Sequence, residues 1–202
     1  MPEPSKTETL LRLAKAGPVR ARDLAAAGIP RSYLRRLVER GLLEQTSLGV
    51  YGLADAEVTE LHSLAEVALR VPHAVVCLLS ALPVHGLTTE VPSAVWLMID
   101  HKARAPAMDS PRIEIVRASG DALAHGVEAH RIEGVDVRIT SPAKTVADCF
   151  RYRGHVGLDV ALDALRDYLR PRRRSRSVDA LVAAARADRV LSIMRPYLEA
   201  LA

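Results

Sequence analysis

An α+β fold is predicted for this 202-residue chain by three observations. Apolar residues recur at three- and four-residue spacing before residue 40, and two short alternating segments follow between residues 42 and 53. Beyond these, strand-like and helix-like stretches interleave until the chain turns helical after Ser141. Hydrophobic residues make up 49% of the sequence and aromatics only 3%, so the core has to be built from Leu, Val, Ile and Ala, in packed helices and small sheets.

Taken in order, Ser5 or Thr7 can cap a first helix whose Leu10, Leu11, Leu13 and Ala14 share a face until Gly17-Pro18 ends it. A second, shorter helix fits residues 21–27 with Leu24 inward, and a third fits residues 30–40, opened by Pro30 in its first turn. Residues 42–46 and 50–53 then pair as strands about the turn Ser47-Leu48-Gly49. Three helices and a hairpin predict an N-terminal winged helix-turn-helix over residues 1–54. A connecting helix at 57–70 leads into a mixed α/β domain that occupies residues 55–202 and ends in helices. There Ser80 reads as a helix cap with Pro83 in the first turn, and SAVWLMID and RIEIVR read as strands. A strand pair turns at Gly134, and helices are expected over 142–152, 158–170, 178–187 and 191–201. The arginine run at 171–177 reads as an exposed linker.

Charge separates the two parts. Residues 1–53 hold nine Lys/Arg against five Asp/Glu, so the entire net charge of +4 belongs to the first quarter of the chain. A basic segment on a neutral body points to a polyanion partner. On the third helix Leu34, Leu37 and Val38 form the inward face, leaving Arg31, Ser32, Arg35, Arg36 and Arg40 outward with Tyr33 between. The arginine fork grips guanine O6 and N7 in pairs or holds phosphate, so this face suits the major groove of double-stranded DNA. Arg20 and Arg22 open the second helix, where a phosphate contact is expected. The hairpin turn carries no arginine, and its contribution is confined to Thr46 or Ser47 touching phosphate. A second half-site about one helical turn away would raise affinity, through a dimer or through two copies side by side. A solvated surface face that binds an acidic protein partner remains the alternative.

Other motifs carry less. Ser141-Pro-Ala-Lys144 matches the S-x-x-K of serine acyl enzymes but also a capped helix start with a first-turn proline, and neither S-D-N nor K-T-G follows. His125 and His130 are five residues apart across a glycine and cannot share a helical face as zinc ligands do. Asp100, Glu114 and Asp136 could serve a magnesium nuclease, yet they alternate with apolar residues as any half-exposed strand does. No catalytic residue, metal or cofactor is expected. Cys77 and Cys149 lie in apolar surroundings. The N-terminus lacks the basic-then-apolar pattern of a signal peptide, and no apolar run approaches the roughly 20 residues that span a bilayer, so the expected location is the cytoplasm.

The order GIPRSYLRRLVERGLLEQ, GVYGL, LLSALPVHGL, VWLMI and ITSPAKTVADCF resembles the AbiEi family of antitoxins from bacterial type IV toxin–antitoxin systems, over residues from about 7 to 170. The resemblance implies a winged-helix domain that binds inverted repeats upstream of its own operon. It also implies a C-terminal domain that counters a nucleotidyltransferase-type toxin. The family's DNA-reading helix falls on residues 31–40. Leu48 departs from the pattern, since many relatives carry an arginine directly before Gly-Val-Tyr.

Overall fold

The computed structural model describes residues 5–47, 49–55, 59–170 and 177–201; most of the arginine run, Leu48 and the predicted start of the connecting helix at 57–58 lie outside them. The chain divides into two compact units. The first comprises Met1–Arg70 with Arg131–Asp136, past the boundary expected at residue 54, and the second comprises Val71–His130 with Val137–Ala202.

The first unit opens with α1 (Lys6–Ala16), where Ser5 and Glu8 form a reciprocal capping box, each side chain accepting the other's backbone N–H. A two-residue strand β1 (Val19–Arg20) comes next, then a 3-10 turn at Asp23–Ala25 where a second helix was expected. The stretch between has one large apolar residue, Leu24, and cannot bury a helical face. It closes instead through tight bonds from Ala27 N to Leu24 O and from Gly28 N to Ala25 O. Helix α2 (Ser32–Glu39) is shorter than the predicted 30–40, with Arg31 as its N-cap residue. It ends in a Schellman motif: Leu42 N donates to Leu37 O and Gly41 N to Val38 O, with Gly41 at φ 66°. Strands β2 (Leu43–Ser47) and β3 (Val50–Leu53) pair antiparallel, β2 beginning one residue later than expected, and β1 adds to β3, giving the order β1-β3-β2. Leu10, Leu24, Ile29, Leu34, Leu37 and Leu43 form the core beneath.

Helix α3 (His62–Arg70) starts later than expected because residues 59–61 form a turn held from another direction. Thr59 donates from both N and Oγ1 to Glu133, while Leu61 N donates to Thr59 Oγ1. Glu133 and Gly134 both have positive φ, 46° and 76°, making the two-residue turn that right-twisted hairpins favour. A side chain at Gly134 has no room: an added Cβ would stand 1.8 Å from Ala16 O.

The second unit has a five-stranded sheet in the order β6-β5-β4-β8-β7, from β4 (Val75–Val76), β5 (Val95–Asp100), β6 (Ile113–Ala118), β7 (Val127–Ile132) and β8 (Val135–Thr140). Strand β5 runs antiparallel to β4 and parallel to β6, and β4 runs parallel to β8. Ser80 is no cap. Helix α4 (Leu78–Val84) starts two residues before it, and its hydroxyl serves β5 by accepting from Trp96 N and donating to Ala94 O. The short helices α5 (Asp121–Ala124) and α7 (Arg153–Val156) escaped the sequence reading. Helices α6 (Pro142–Arg151), α8 (Leu158–Leu169), α9 (Val178–Ala187) and α10 (Leu191–Leu201) fall on the expected segments within a residue or so, and α8 and α9 both pack on α6, in a core that includes Phe150, Leu165 and Leu181.

Candidate nucleic-acid interface

Helix α2 separates its two kinds of side chain as its spacing requires. Leu34 and Leu37 are buried and Val38 is half-buried, whereas Arg31, Ser32, Arg35, Arg36 and Arg40 are exposed. No side chain caps its N-terminus. Arg35 pairs with Glu39 one turn on, Nε to Oε1 at 2.8 Å, with both side chains largely in water. Such a pair is worth little and yields readily to a better anion. The Arg36 guanidinium lies 5.0 Å from the centroid of the Tyr33 ring, which props it outward.

Arg20 and Arg22 do not open a helix. Arg20 is in β1, its Nε on Asp23 and its Nη1 donating to Leu69 O at 3.3 Å; Arg22 precedes the 3-10 turn, 3.8 Å from Asp23. The helix-terminus argument for a phosphate there therefore lapses. Arg20, Arg22 and Arg31 line one concavity of about 370 Å³, together with Arg70 at the end of α3. Sequence reasoning missed Arg70, which carries no local signal that it returns to Arg20 and Arg31. Thr46 is elsewhere: it lines a separate concavity with Glu44 and Glu133, whose carboxylates oppose a phosphate. The side chain of Ser47 lies outside the described residues.

Glu133 anchors that second concavity. Burial pushes its carboxyl up, but hydrogen bonds from Thr59 and His62, the latter at 2.7 Å, outweigh it and hold the carboxyl below its ordinary range. A depressed carboxylate stabilises the folded state above its unfolded pKa, and that stability is lost as pH falls through the folded value. Glu133→Gln should therefore be less stable than wild type at neutral pH and converge with it in acid, as read from urea midpoints between pH 7 and pH 3.

The second unit offers no comparable chemistry at the motifs considered. Ser141 Oγ accepts from Lys144 N as a helix cap, while Lys144 Nζ turns away to Asp148 and Asp188. Burial lowers the Lys144 affinity for its proton, but the two carboxylates overcome that and raise it, so the lysine is held charged and cannot act as a base. Burial pushes the Cys77 and Cys149 thiols up, away from the reactive thiolate. Asp100 accepts from Lys102 N, Glu114 pairs with Arg112 and Asp136 with Arg131. Among the described residues no group of three or more His, Cys, Asp or Glu is placed to hold a metal, and no described helix is long and apolar enough to cross a membrane.

Residues 8–54 match a family model described as transcriptional regulator, AbiEi antitoxin. The match supports the family resemblance over the helices and hairpin that carry the arginine face. No curated protein matches the chain. The crystal structure of the RV2827C protein from Mycobacterium tuberculosis is similar at TM-score 0.53 and 14% identity, covering 97% of this chain and 81% of that one; at such identity the likeness is one of fold.

Proposed function

We propose that this chain is a sequence-specific DNA-binding repressor, built on a winged helix-turn-helix, that acts in the cytoplasm as the antitoxin of a type IV, AbiE-like toxin–antitoxin system and autoregulates its operon. The observation that carries the reading is the exposed arginine face of α2, backed by buried Leu34 and Leu37 within the segment that matches an AbiEi transcriptional-regulator model. In this reading α2 enters the major groove of an inverted-repeat operator, and Arg31, Arg35 and Arg36 meet base edges or phosphates with Ser32, Tyr33 and Arg40 beside them. The chain performs no catalysis. Its other partner is a nucleotidyltransferase-type toxin, opposed through the second unit. Two copies occupy the two half-sites of the repeat.

Footprinting on the DNA upstream of the chain's own gene tests the reading. Protection of two half-sites about 10 base pairs apart, centre to centre, is expected for paired helices in successive major grooves. Absence of any protected segment, at protein concentrations that coat unrelated DNA, would contradict it.

A further inference from the structure

We infer that the second unit carries a docking groove for a basic amphipathic helix of a protein partner, seated between helix α8 and the loop that follows α4. The inference stands apart from the operator reading, since it uses no residue of the first unit.

The groove, of about 220 Å³, is apolar at its floor. Helix α4 supplies Leu79 and Leu82, and the turn that ends it brings Leu87 back to Leu82, Leu87 N donating to Leu82 O at 2.8 Å. Helix α8 supplies Val160 and Ala164. Leu82, Leu87 and Ala164 are buried, but Val91, on the loop, is 75% exposed, and Leu158, at the start of α8, is 38% exposed. Apolar side chains left in water at the lip of an apolar groove are surface that a partner can cover. The volume falls below the roughly 300–1,000 Å³ of small-molecule pockets, so it offers room for anchoring side chains rather than for a whole ligand.

Charge decides which helix fits. The described lining residues include three carboxylates, Glu90, Asp159 and Asp163, and no basic side chain. On α8 the acidic pair Asp159 and Asp163 and the apolar pair Val160 and Ala164 each step by four residues, so the two rows climb the helix side by side. A helix with leucines one turn apart and lysines or arginines in the neighbouring row matches both: the leucines enter the groove while the cations lie along the carboxylates. The carboxylates are available to them. All three residues are exposed, and the pair that Asp163 makes with Arg166 at 2.9 Å is open to water and contributes little. Among the described residues no ion pair reaches Glu90 or Asp159.

The test uses the full chain and three alanine-based helical peptides as probes. One carries two leucines a turn apart beside a row of lysines, the second has glutamates for the lysines, and the third has serines for the leucines. Addition of the leucine–lysine peptide should shift the methyl NMR signals of Leu79, Val91 and Val160 and leave those of Leu10 and Leu34 in place, and the other two peptides should shift none. Glu90→Gln with Asp163→Asn should weaken this peptide about tenfold at low salt, as expected for two exposed ion pairs, with the difference shrinking as salt rises. Val91→Ser should weaken it about fivefold at any salt. Asp109→Asn neutralises an exposed carboxylate that does not line the groove and should change nothing. All of these substitutions fall on exposed side chains, and thermal melting verifies that the variants fold. Absence of methyl shifts with the leucine–lysine peptide overturns the inference. Equal weakening by Asp109→Asn, or equal binding of the serine peptide, also overturns it, since attraction to charge at large would then account for the binding. Val91 and Val160 methyls that move with protein concentration alone, together with a dimer in sedimentation that Val91→Ser disperses, would make the occupant a second copy of this chain and the inference wrong.

Discussion

Lys144→Met should destabilise the second unit by about 3–5 kcal/mol, the usual consequence of stranding buried charge by removing its partner. Lys144, Asp148 and Asp188 are all buried, at 0%, 0% and 1% exposure. The ammonium meets Asp148 one turn along α6 and both oxygens of Asp188, at 2.9 and 3.1 Å, where Asp188 caps the C-terminus of α9. Arg151 adds a donor to the Asp188 carbonyl at 2.8 Å, so the corner after α9 is fastened to α6 by charge as well as by packing. Without the lysine, two carboxylates face each other in an apolar interior. Asp148→Asn should cost much less, because it leaves one ammonium against one carboxylate. Urea midpoints by far-UV circular dichroism separate these cases, and a Lys144→Met variant as stable as wild type would show the network to be dispensable.

The same cluster has a pH signature. Burial and the neighbouring Asp188 charge push the Asp148 carboxyl well above the usual carboxylate range, against the pull of Lys144. A raised carboxyl binds its proton more tightly folded than unfolded, so its contribution favours the fold below the unfolded pKa and is lost as pH rises through the folded value. That is opposite in sign to Glu133, which makes the two separable by variant.

The second large effect falls on binding. Arg31→Ala with Arg36→Ala should cost about 2–6 kcal/mol of selectivity for the operator, taking about 1–3 kcal/mol for each bidentate arginine–guanine pair. Both side chains are exposed and the anchors of α2, Leu34 and Leu37, are on the opposite face, so melting of the first unit should stay where it is in wild type. Selectivity measured as the ratio of affinities for operator and unrelated DNA reads this directly. An unchanged ratio in the double variant would remove α2 from the reading surface, and a melted N-terminal unit would show that the faces had been assigned the wrong way round.

What the sequence carried plainly was local. Leu34, Leu37 and the arginines between them specify which side of α2 faces out, and Gly41 marks its end, because both signals depend on residues within one or two turns. The stretch Ala25-Ala26-Ala27-Gly28 misled, since alanines favour helix wherever a helix can form, and only the absence of a second buried side chain shows that none does. Ser80 misled for a related reason: Ser-x-x-Pro fits a helix start, but its hydroxyl is claimed by β5 sixteen residues on. The long-range partners left no trace. Asp148 lies at helical spacing from Lys144 and could be paired by inspection, whereas Asp188 is 44 residues away. Arg70 likewise joins Arg20 and Arg31 only because α3 returns to β1, a matter of tertiary packing that no spacing encodes.

The most direct test of the central claim is a titration of the wild-type chain against the DNA upstream of its own gene and an unrelated duplex of equal length, at two salt concentrations. Tight, salt-dependent binding confined to the upstream fragment is the expected result. Equal and weak binding to both would reduce the arginine face of α2 to a solvated surface and contradict the account.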